Sequence, residues 1–305
     1  MKSVKKRVIA IINPISGIAS KHKVPALLAA AYQDREEELF LTYTKGEGHA
    51  AEVIKEAMVH GLDSVIAVGG DGTINEIASA LSGSEVKLGI IPRGSGNGLA
   101  RALGIPMQND AEAVRIITEG KLVSIDMGLA NGLPFFCTFG VGFDAQITKR
   151  YDDASTRGLL TYIKSAIDEY ISFKPQEYKI SIDNHDIGGE AFLITCANIE
   201  QYGNNAYIAP NASPSDGLLD LVIIRPLEGI HAAQVALQLF TKTIDKNARI
   251  ESYRGSHIVI ERSAFGPAQI DGESVQMGKK IEIGVRQQDL LVYAPLSFGE
   301  AIQPF

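Results

Sequence analysis

The first 123 residues alternate short apolar, β-branched segments with longer amphipathic ones, and short polar turns join them. The apolar segments predict strands, and the segments with apolar residues at every third or fourth position predict helices. The predicted strands are 7–13, 38–43, 64–68 and 87–91, and the predicted helices are 20–32, 49–60, 74–81, 98–103 and 111–118. This order is typical of a doubly wound α/β domain built on a parallel sheet.

After about residue 123 the pattern changes to alternating polar and β-branched positions, separated by Gly, Asn, Asp and Pro. The predicted strands here are 134–140, 178–182, 190–198, 218–224, 256–261, 280–285 and 289–293, with helical segments at 157–171 and 230–243. This half is expected to form an all-β sandwich. We therefore predict an α/β domain at 1–123 and a β-sandwich domain at 124–294, with the tail 295–305 packing back on the first domain.

Composition and charge exclude several classes of protein. The chain has 305 residues, of which 45% are apolar and 21% charged, and its net charge is −7. It has no apolar run near the roughly 18 residues that span a bilayer, no secretory signal pattern, and no basic tract interleaved with aromatics. We expect a cytoplasmic protein without a transmembrane segment that does not bind nucleic acid. Cys137 and Cys196 lie in apolar runs, which favours buried free thiols.

The segment Gly69–Thr73 (GGDGT) lies between a predicted strand and a predicted helix. Glycines at such a turn let phosphate oxygens approach the backbone, and the first amides of the helix supply donors. A carboxylate beside phosphate is repulsive unless a divalent cation lies between them, so Asp71 suggests bound Mg²⁺. Phosphoryl transfer is the leading hypothesis.

A second glycine-rich turn, Arg93–Asn97, follows the next predicted strand. Ser95 supplies a hydroxyl and Asn97 both a donor and an acceptor, so two such turns side by side would clasp a triphosphate. A plain strand-to-helix turn is the alternative. The Walker loop is absent, and Leu99 stands where a dinucleotide-binding fingerprint needs its third glycine.

Two acidic turns lie in the second half. Asp271 and Glu273 flank Gly272, and either would serve as the proton acceptor for a hydroxyl if this turn faces the glycine turns. Residues 213–220 space carboxylates and loop carbonyls in a way that suits a hard cation. In both cases an ordinary turn is the alternative.

Taken in order, six motifs resemble the diacylglycerol kinase catalytic family, which also holds bacterial lipid kinases and sphingosine kinases. They are NPxSG at 13–17, GGDGTINE at 69–76, PxGSGN at 92–97, GVGFDA at 140–145, SDGLLD at 215–220 and DGE at 271–273. The resemblance spans nearly the whole chain. It implies ATP and Mg²⁺ as cofactors, a lipid hydroxyl as acceptor, and transient contact with a membrane surface.

The resemblance also implies roles for particular residues. The predicted nucleotide-binding residues are Asn13, Ser16, Thr44, Gly69, Gly70, Asp71, Gly72, Thr73, Asn75, Ser95 and Asn97. The predicted metal ligands are Asp71, supported by Asp126, and a structural loop of Ser213, Asp216 and Leu218. The predicted catalytic residues are Asp71, Asp271 and Glu273, and the sequence does not decide which of the last two accepts the proton.

Some positions depart from the bacterial pattern. Ser95 replaces a common Thr, Gly98 replaces a common Asp, and Ile18 replaces a basic residue. The Gly-Ser-Gly-Asn variant looks more like the sphingosine kinase branch. We therefore expect a lipid kinase whose acceptor is a diacylglycerol or a sphingoid-type base. An NAD kinase-like enzyme and a non-catalytic nucleotide- or lipid-binding protein are the alternatives. The sequence does not decide between a monomer and a homodimer. The apolar positions of 157–171 fit either packing against the sandwich or docking on a membrane.

Overall fold

The computed structural model describes residues 6–15, 23–152 and 173–299. The chain divides into two compact units. The first contains Met1–Ile125 and Asp289–Phe305, and the second contains Asp126–Gln288.

A parallel sheet in the order β2-β1-β3-β4 forms the centre of the first unit. Its strands are β1 (Arg7–Ile12), β2 (Glu38–Tyr43), β3 (Leu62–Gly69) and β4 (Lys87–Pro92). The last residues of β16 (Lys280–Ala294) add a further parallel strand beside β4, where Leu291 is in register with Lys87. β3 is buried from Ser64 to its end, as expected for parallel strands covered on both faces. The four predicted strands are confirmed.

The helices of the first unit connect these strands. They are α1 (Val24–Tyr32), α2 (His49–Met58), α3 (Asp71–Leu81), α4 (Gly98–Ala102) and α5 (Asp110–Glu119). Asn109 caps α5 by accepting the N–H of Glu112. α3 begins three residues before its predicted start, because extended Gly70 acts as its N-cap and its carbonyl accepts the N–H of Ile74 at 3.0 Å.

Each strand described after α5 has an antiparallel partner among the others. These strands are β5 (Lys121–Ala130), β6 (Leu133–Phe135), β7 (Thr138–Gly142), β8 (Gln176–Ile182), β9 (His185–Ala191), β10 (Leu193–Ala197), β11 (Leu219–Ile224), β12 (Ile250–Gly255), β13 (His257–Arg262), β14 (Gly266–Ile270), β15 (Glu273–Met277) and β16. One layer of the second unit has the order β12-β11-β10-β7-β14-β15, and the other contains β9, β8, β13 and the first part of β16. Buried side chains from both layers, among them Phe139, Ile194, Ile260 and Ile283, form one core. The predicted β-sandwich is confirmed.

Four sequence expectations for this unit are corrected. The predicted strand 134–140 forms two strands, β6 and β7. The predicted strands 280–285 and 289–293 are one strand, β16, which contains a left-handed residue at Gln288. The predicted strand 190–198 covers the end of β9 and all of β10, and α6 (Phe143–Asp152) forms where no helix was predicted. The predicted helix at 230–243 is confirmed as α7 (Gly229–Phe240), whereas 157–171 lies outside the described residues.

Cys137 and Cys196 are buried and form no disulfide, as predicted. Within the described ranges, no helix is long and apolar enough to cross a membrane.

Candidate phosphoryl-transfer site

Three loops of the first unit meet at one edge of the parallel sheet. Asn13 follows β1, Gly69 ends β3 and Arg93 follows β4. The N–H of Asn13 donates to the carbonyl of Val68 at 3.0 Å, and that of Arg93 to the carbonyl of Gly69 at 2.7 Å. Because the strands are parallel, their carboxyl ends bring these predicted residues together, at the edge where ligands bind in such sheets.

The two glycine-rich turns are packed backbone against backbone. A β-carbon on Gly94 would lie 2.8 Å from the Cα of Gly70, and one on Gly70 would lie 3.3 Å from the Cα of Gly94. A β-carbon on Gly69 would lie 2.6 Å from that of Thr73. Gly70 and Gly94 are therefore required by the close approach of the two turns, and Gly69 by the position of the Thr73 side chain.

Asp71 joins the two turns through its carboxylate. Oδ2 accepts the N–H of Asn97 and Oδ1 accepts the N–H of Gly98, each at 2.8 Å. Burial raises the pKa of Asp71 above its ordinary value, while these two amides act in the opposite direction. Asp71 thus holds the start of α4 against the start of α3.

Asn97 shapes the second turn from within. It is fully buried and left-handed, and its side-chain amide bonds to both the N–H and the carbonyl of Gly94. Its predicted contact with a nucleotide stays a prediction, because the described contacts of its side chain are with the backbone of its own turn. Ser95 is exposed at the tip of that turn.

The remaining predicted nucleotide-binding residues lie around the same edge. Asn13 donates from Nδ2 to the hydroxyl of Thr73 at 2.9 Å, and the N–H of Thr44 donates to the carbonyl of Ile12 at 2.9 Å. Gly72 is exposed in the first turn of α3, and Asn75 accepts a hydrogen bond from Ser79. Ser16 lies outside the described residues.

α3 has no side-chain cap at its N-cap residue, Gly70. The amides of a first helical turn need partners from a cap, water or a ligand. A phosphate would supply them, so this end of α3 fits an anionic group.

Asp126, in the second unit, uses its carboxylate to hold backbone. Its side chain is fully buried, with Oδ2 accepting the N–H of Gly217 at 2.7 Å and Oδ1 that of Gln288 at 2.8 Å. These contacts anchor the predicted cation loop. Its predicted support of a metal stays a prediction.

The loop of Ser213, Asp216 and Leu218 is held by hydrogen bonds and an ion pair. Asp216 is exposed, accepts the N–H of Leu218 at 3.1 Å and pairs with Arg254. In the part of the chain that the structure describes, no group of three or more His, Cys, Asp or Glu side chains is arranged to hold a metal ion.

The acidic turn of the second unit is a tight hairpin between β14 and β15. Ile270 pairs with Glu273, and the two turn residues, Asp271 and Gly272, have φ values of 48° and 84°. Positive φ at both central positions is typical of the type I′ turn that Asp-Gly favours.

Three backbone amides hold the Asp271 carboxylate. Oδ2 accepts the N–H of Phe136, and Oδ1 accepts those of Cys137 and Thr138, each at 2.8 Å. Glu273 is exposed. The two candidate proton acceptors therefore differ in environment, which the sequence did not reveal.

The sequence analysis missed a buried network behind this hairpin. Gln269 donates to a carboxylate oxygen of Asp144 at 3.1 Å, and its own carbonyl oxygen accepts the N–H of Gly272 at 2.9 Å. Burial raises the pKa of Asp144 to about 6. An acidic residue between apolar residues in GVGFDA is the signal that would have indicated it.

Arg101 was also missed in the first unit. Its Nε donates to the carbonyl of Gly96 at 2.7 Å, and its charge favours ionised Asp71. A cation one helical turn after a glycine-rich loop is the corresponding sequence signal.

Comparison with known proteins agrees with this fold. The profile of the diacylglycerol kinase catalytic domain matches residues 7–130, and that of the YegS C-terminal NAD kinase beta sandwich-like domain matches residues 137–285. This chain belongs to the diacylglycerol kinase and YegS-like lipid kinase family. The predicted resemblance is thereby confirmed over both halves, and membership supports a lipid kinase activity.

Relatives in this lipid kinase family cover most of the chain. A diacylglycerol kinase of Bacillus subtilis (strain 168) is 34% identical over 76% of this chain and 79% of its own length. One of Mycobacterium tuberculosis (strain H37Rv) is 30% identical over 80% of both chains. The crystal structure of a diacylglycerol kinase from Bacillus anthracis matches 98% of this chain and 100% of its own with a TM-score of 0.74 at 25% identity.

Proposed function

We propose that this protein transfers the γ-phosphoryl group of ATP to the hydroxyl of diacylglycerol. The observation that carries the proposal is the pair of glycine-rich turns that Asp71 joins at the carboxyl edge of the parallel sheet. The relatives named diacylglycerol kinase support this acceptor. A sphingoid-type base is the second candidate, because Ser95 and Gly98 depart from the bacterial pattern.

The first unit supplies the nucleotide site in this proposal. The uncapped start of α3 suits phosphate oxygens, and the absence of side chains at Gly70 and Gly94 lets the backbone reach them. Asp71 would hold Mg²⁺ together with phosphate oxygens and water, since a carboxylate has about four lone-pair positions, more than the amides of Asn97 and Gly98 occupy. Bound Mg²⁺ would neutralise charge on the phosphates.

The second unit supplies the proton acceptor, for which we propose Glu273. Both oxygens of Asp271 are engaged by the amides of residues 136–138, so its carboxylate is fixed to the backbone. Glu273 follows directly on the two turn residues of the hairpin and is exposed to solvent. Asp271 is then a positioning residue, which sets the hairpin that carries Glu273.

The acceptor is tested with purified protein, labelled ATP and Mg²⁺. The panel contains diacylglycerol, sphingosine, ceramide and NAD, each offered alone. We expect label in phosphatidic acid. Label in a sphingoid phosphate would establish the second candidate, label in NADP the NAD kinase-like alternative, and no label in any product would reject the proposed reaction.

Glu273→Gln and Asp271→Asn test the two carboxylates separately. Glu273→Gln should lower kcat by about 10²-fold or more with an unchanged free energy of unfolding, and it should remove the acidic limb of the pH–rate profile. Asp271→Asn should lower the free energy of unfolding by about 1–3 kcal/mol, because an amide NH₂ replaces an acceptor opposite a backbone N–H. A fully active Glu273→Gln variant would rule out the proposed acceptor.

A further inference from the structure

Helix α7 has apolar side chains on two sides. On the inner side Val235 is buried, and Leu239 packs against the cluster that also contains Ile244. On the outer side Ile230, Leu237 and Phe240 are 80%, 65% and 47% exposed. At 100° per residue these three positions fall within an arc of roughly 80°, so they form one exposed apolar stripe.

The surroundings of this stripe are uncharged along the helix and basic beyond its end. Residues 229–240 contain no Asp, Glu, Lys or Arg. Lys246 and Arg249 follow as exposed cations, and neither forms an ion pair within the described residues. The acidic residues nearby are Glu228, at the opposite end of the helix, Glu200, which pairs with Lys242, and Asp245, which accepts a hydrogen bond from Asn211.

The size of the stripe argues against a stable protein partner. Three side chains on a 12-residue helix expose an apolar area on the order of a few hundred Å². A stable dimer buries about 800 Å² on each partner. A single helix with an apolar side and flanking cations instead suits the boundary between headgroups and acyl chains, where shallow insertion of a few large side chains suffices.

We propose that α7 docks the protein on a lipid bilayer, with Ile230, Leu237 and Phe240 inserted and with Lys246 and Arg249 facing anionic headgroups. Insertion of the three apolar side chains supplies most of the affinity for the bilayer, and the cations make this affinity rise with the anionic lipid content. Docking is a property of this surface and is measurable without ATP or any acceptor. Its outcome is therefore separate from that of the proposed reaction.

The test is cosedimentation of the full chain with vesicles of phosphatidylcholine, with and without phosphatidylglycerol. The double variant Leu237→Gln, Phe240→Gln should bind at least tenfold more weakly to both. Lys246→Gln, Arg249→Gln should weaken binding only to the anionic vesicles, by about fivefold for each charge removed. Circular dichroism and the free energy of unfolding check that each variant is folded.

A matched control removes equally exposed apolar side chains elsewhere. Val59→Gln, Phe265→Gln should bind vesicles as the wild type does, although these residues are 81% and 65% exposed. Wild-type protein that stays in solution with both vesicles, or an α7 double variant that binds as tightly as the wild type, would overturn the proposal. The proposal would also be overturned if sedimentation showed a wild-type dimer that is lost in the α7 double variant, with no binding to vesicles. A second copy of the chain would then cover the stripe.

Discussion

Replacing Gly94 by Ala tests whether the close approach of the two glycine-rich turns is needed for phosphoryl transfer. The β-carbon of the new residue would lie 2.8 Å from the Cα of Gly70 and 3.1 Å from Oδ1 of Asn97. Gly94 does not have a positive φ, so its backbone conformation suits Ala and only space opposes the change.

The magnitude follows from that contact. Carbon atoms at their optimal separation are about 3.5–4.0 Å apart, so the two turns must separate by roughly 0.7 Å or more. Gly70 presents backbone, so no side chain can rotate away to relieve the contact. Overpacking of this kind costs about 1–3 kcal/mol. A displacement near 1 Å of a group that orients a substrate costs about 10²-fold in rate.

The assay is the steady-state rate of ATP-dependent phosphorylation, measured with urea unfolding of the same samples. Gly94→Ala should lower kcat/KM for ATP by about 10²-fold while the protein remains folded. Gly70→Ala, whose β-carbon meets the Cα of Gly94 at 3.3 Å, should have a smaller effect. Gly46→Ala is the control, because no atom lies within 4 Å of its β-carbon.

An activity of Gly94→Ala equal to that of Gly46→Ala would refute this reasoning. It would mean that the separation of the two turns does not matter to the nucleotide. The graded order of the three variants distinguishes a local displacement from a general loss of stability, since unfolding is measured in parallel.

Three further predictions concern buried groups. The pKa of Asp144 is raised to about 6 in the folded protein, from about 3.9 in the unfolded chain. The protonated carboxyl therefore stabilises the fold fully below a pH of about 3.9, and this stabilisation is lost as the pH rises through about 6. The free energy of unfolding of Asp144→Asn relative to wild type should thus rise by about 2 kcal/mol from pH 4 to 7 in urea titrations, and parallel curves would contradict this. Asp126→Asn should lower the free energy of unfolding by about 1–3 kcal/mol. Asp216→Asn, at an exposed position, should lower it by less than about 1 kcal/mol. Equal losses in the two variants would contradict the contacts assigned to Asp126. Cys137 and Cys196 should react with a thiol reagent only after unfolding, as mass spectrometry would detect, and rapid labelling of the native protein would be the contrary result.

Local patterns in the sequence predicted most of the α/β half correctly. The β-branched runs and the amphipathic periods between them specify strands and helices over five to ten neighbouring residues. The Asp271-Gly272 turn was likewise predictable, because positive φ at both positions is a property of the two residues themselves. In the sandwich, α6 and the continuity of β16 were missed, since packing against other strands outweighs local preference there.

The ordered motifs were enough to indicate the family and the residue types of a phosphoryl-transfer site, because glycines, a carboxylate and helix starts carry their chemistry locally. Only the tertiary structure decided what each carboxylate holds. Asp71 bonds to amides 26 and 27 residues away, and Asp271 to amides 133 to 135 residues away. Contacts at such separations depend on how strands pair and turns meet, which no local period of apolar and polar residues encodes.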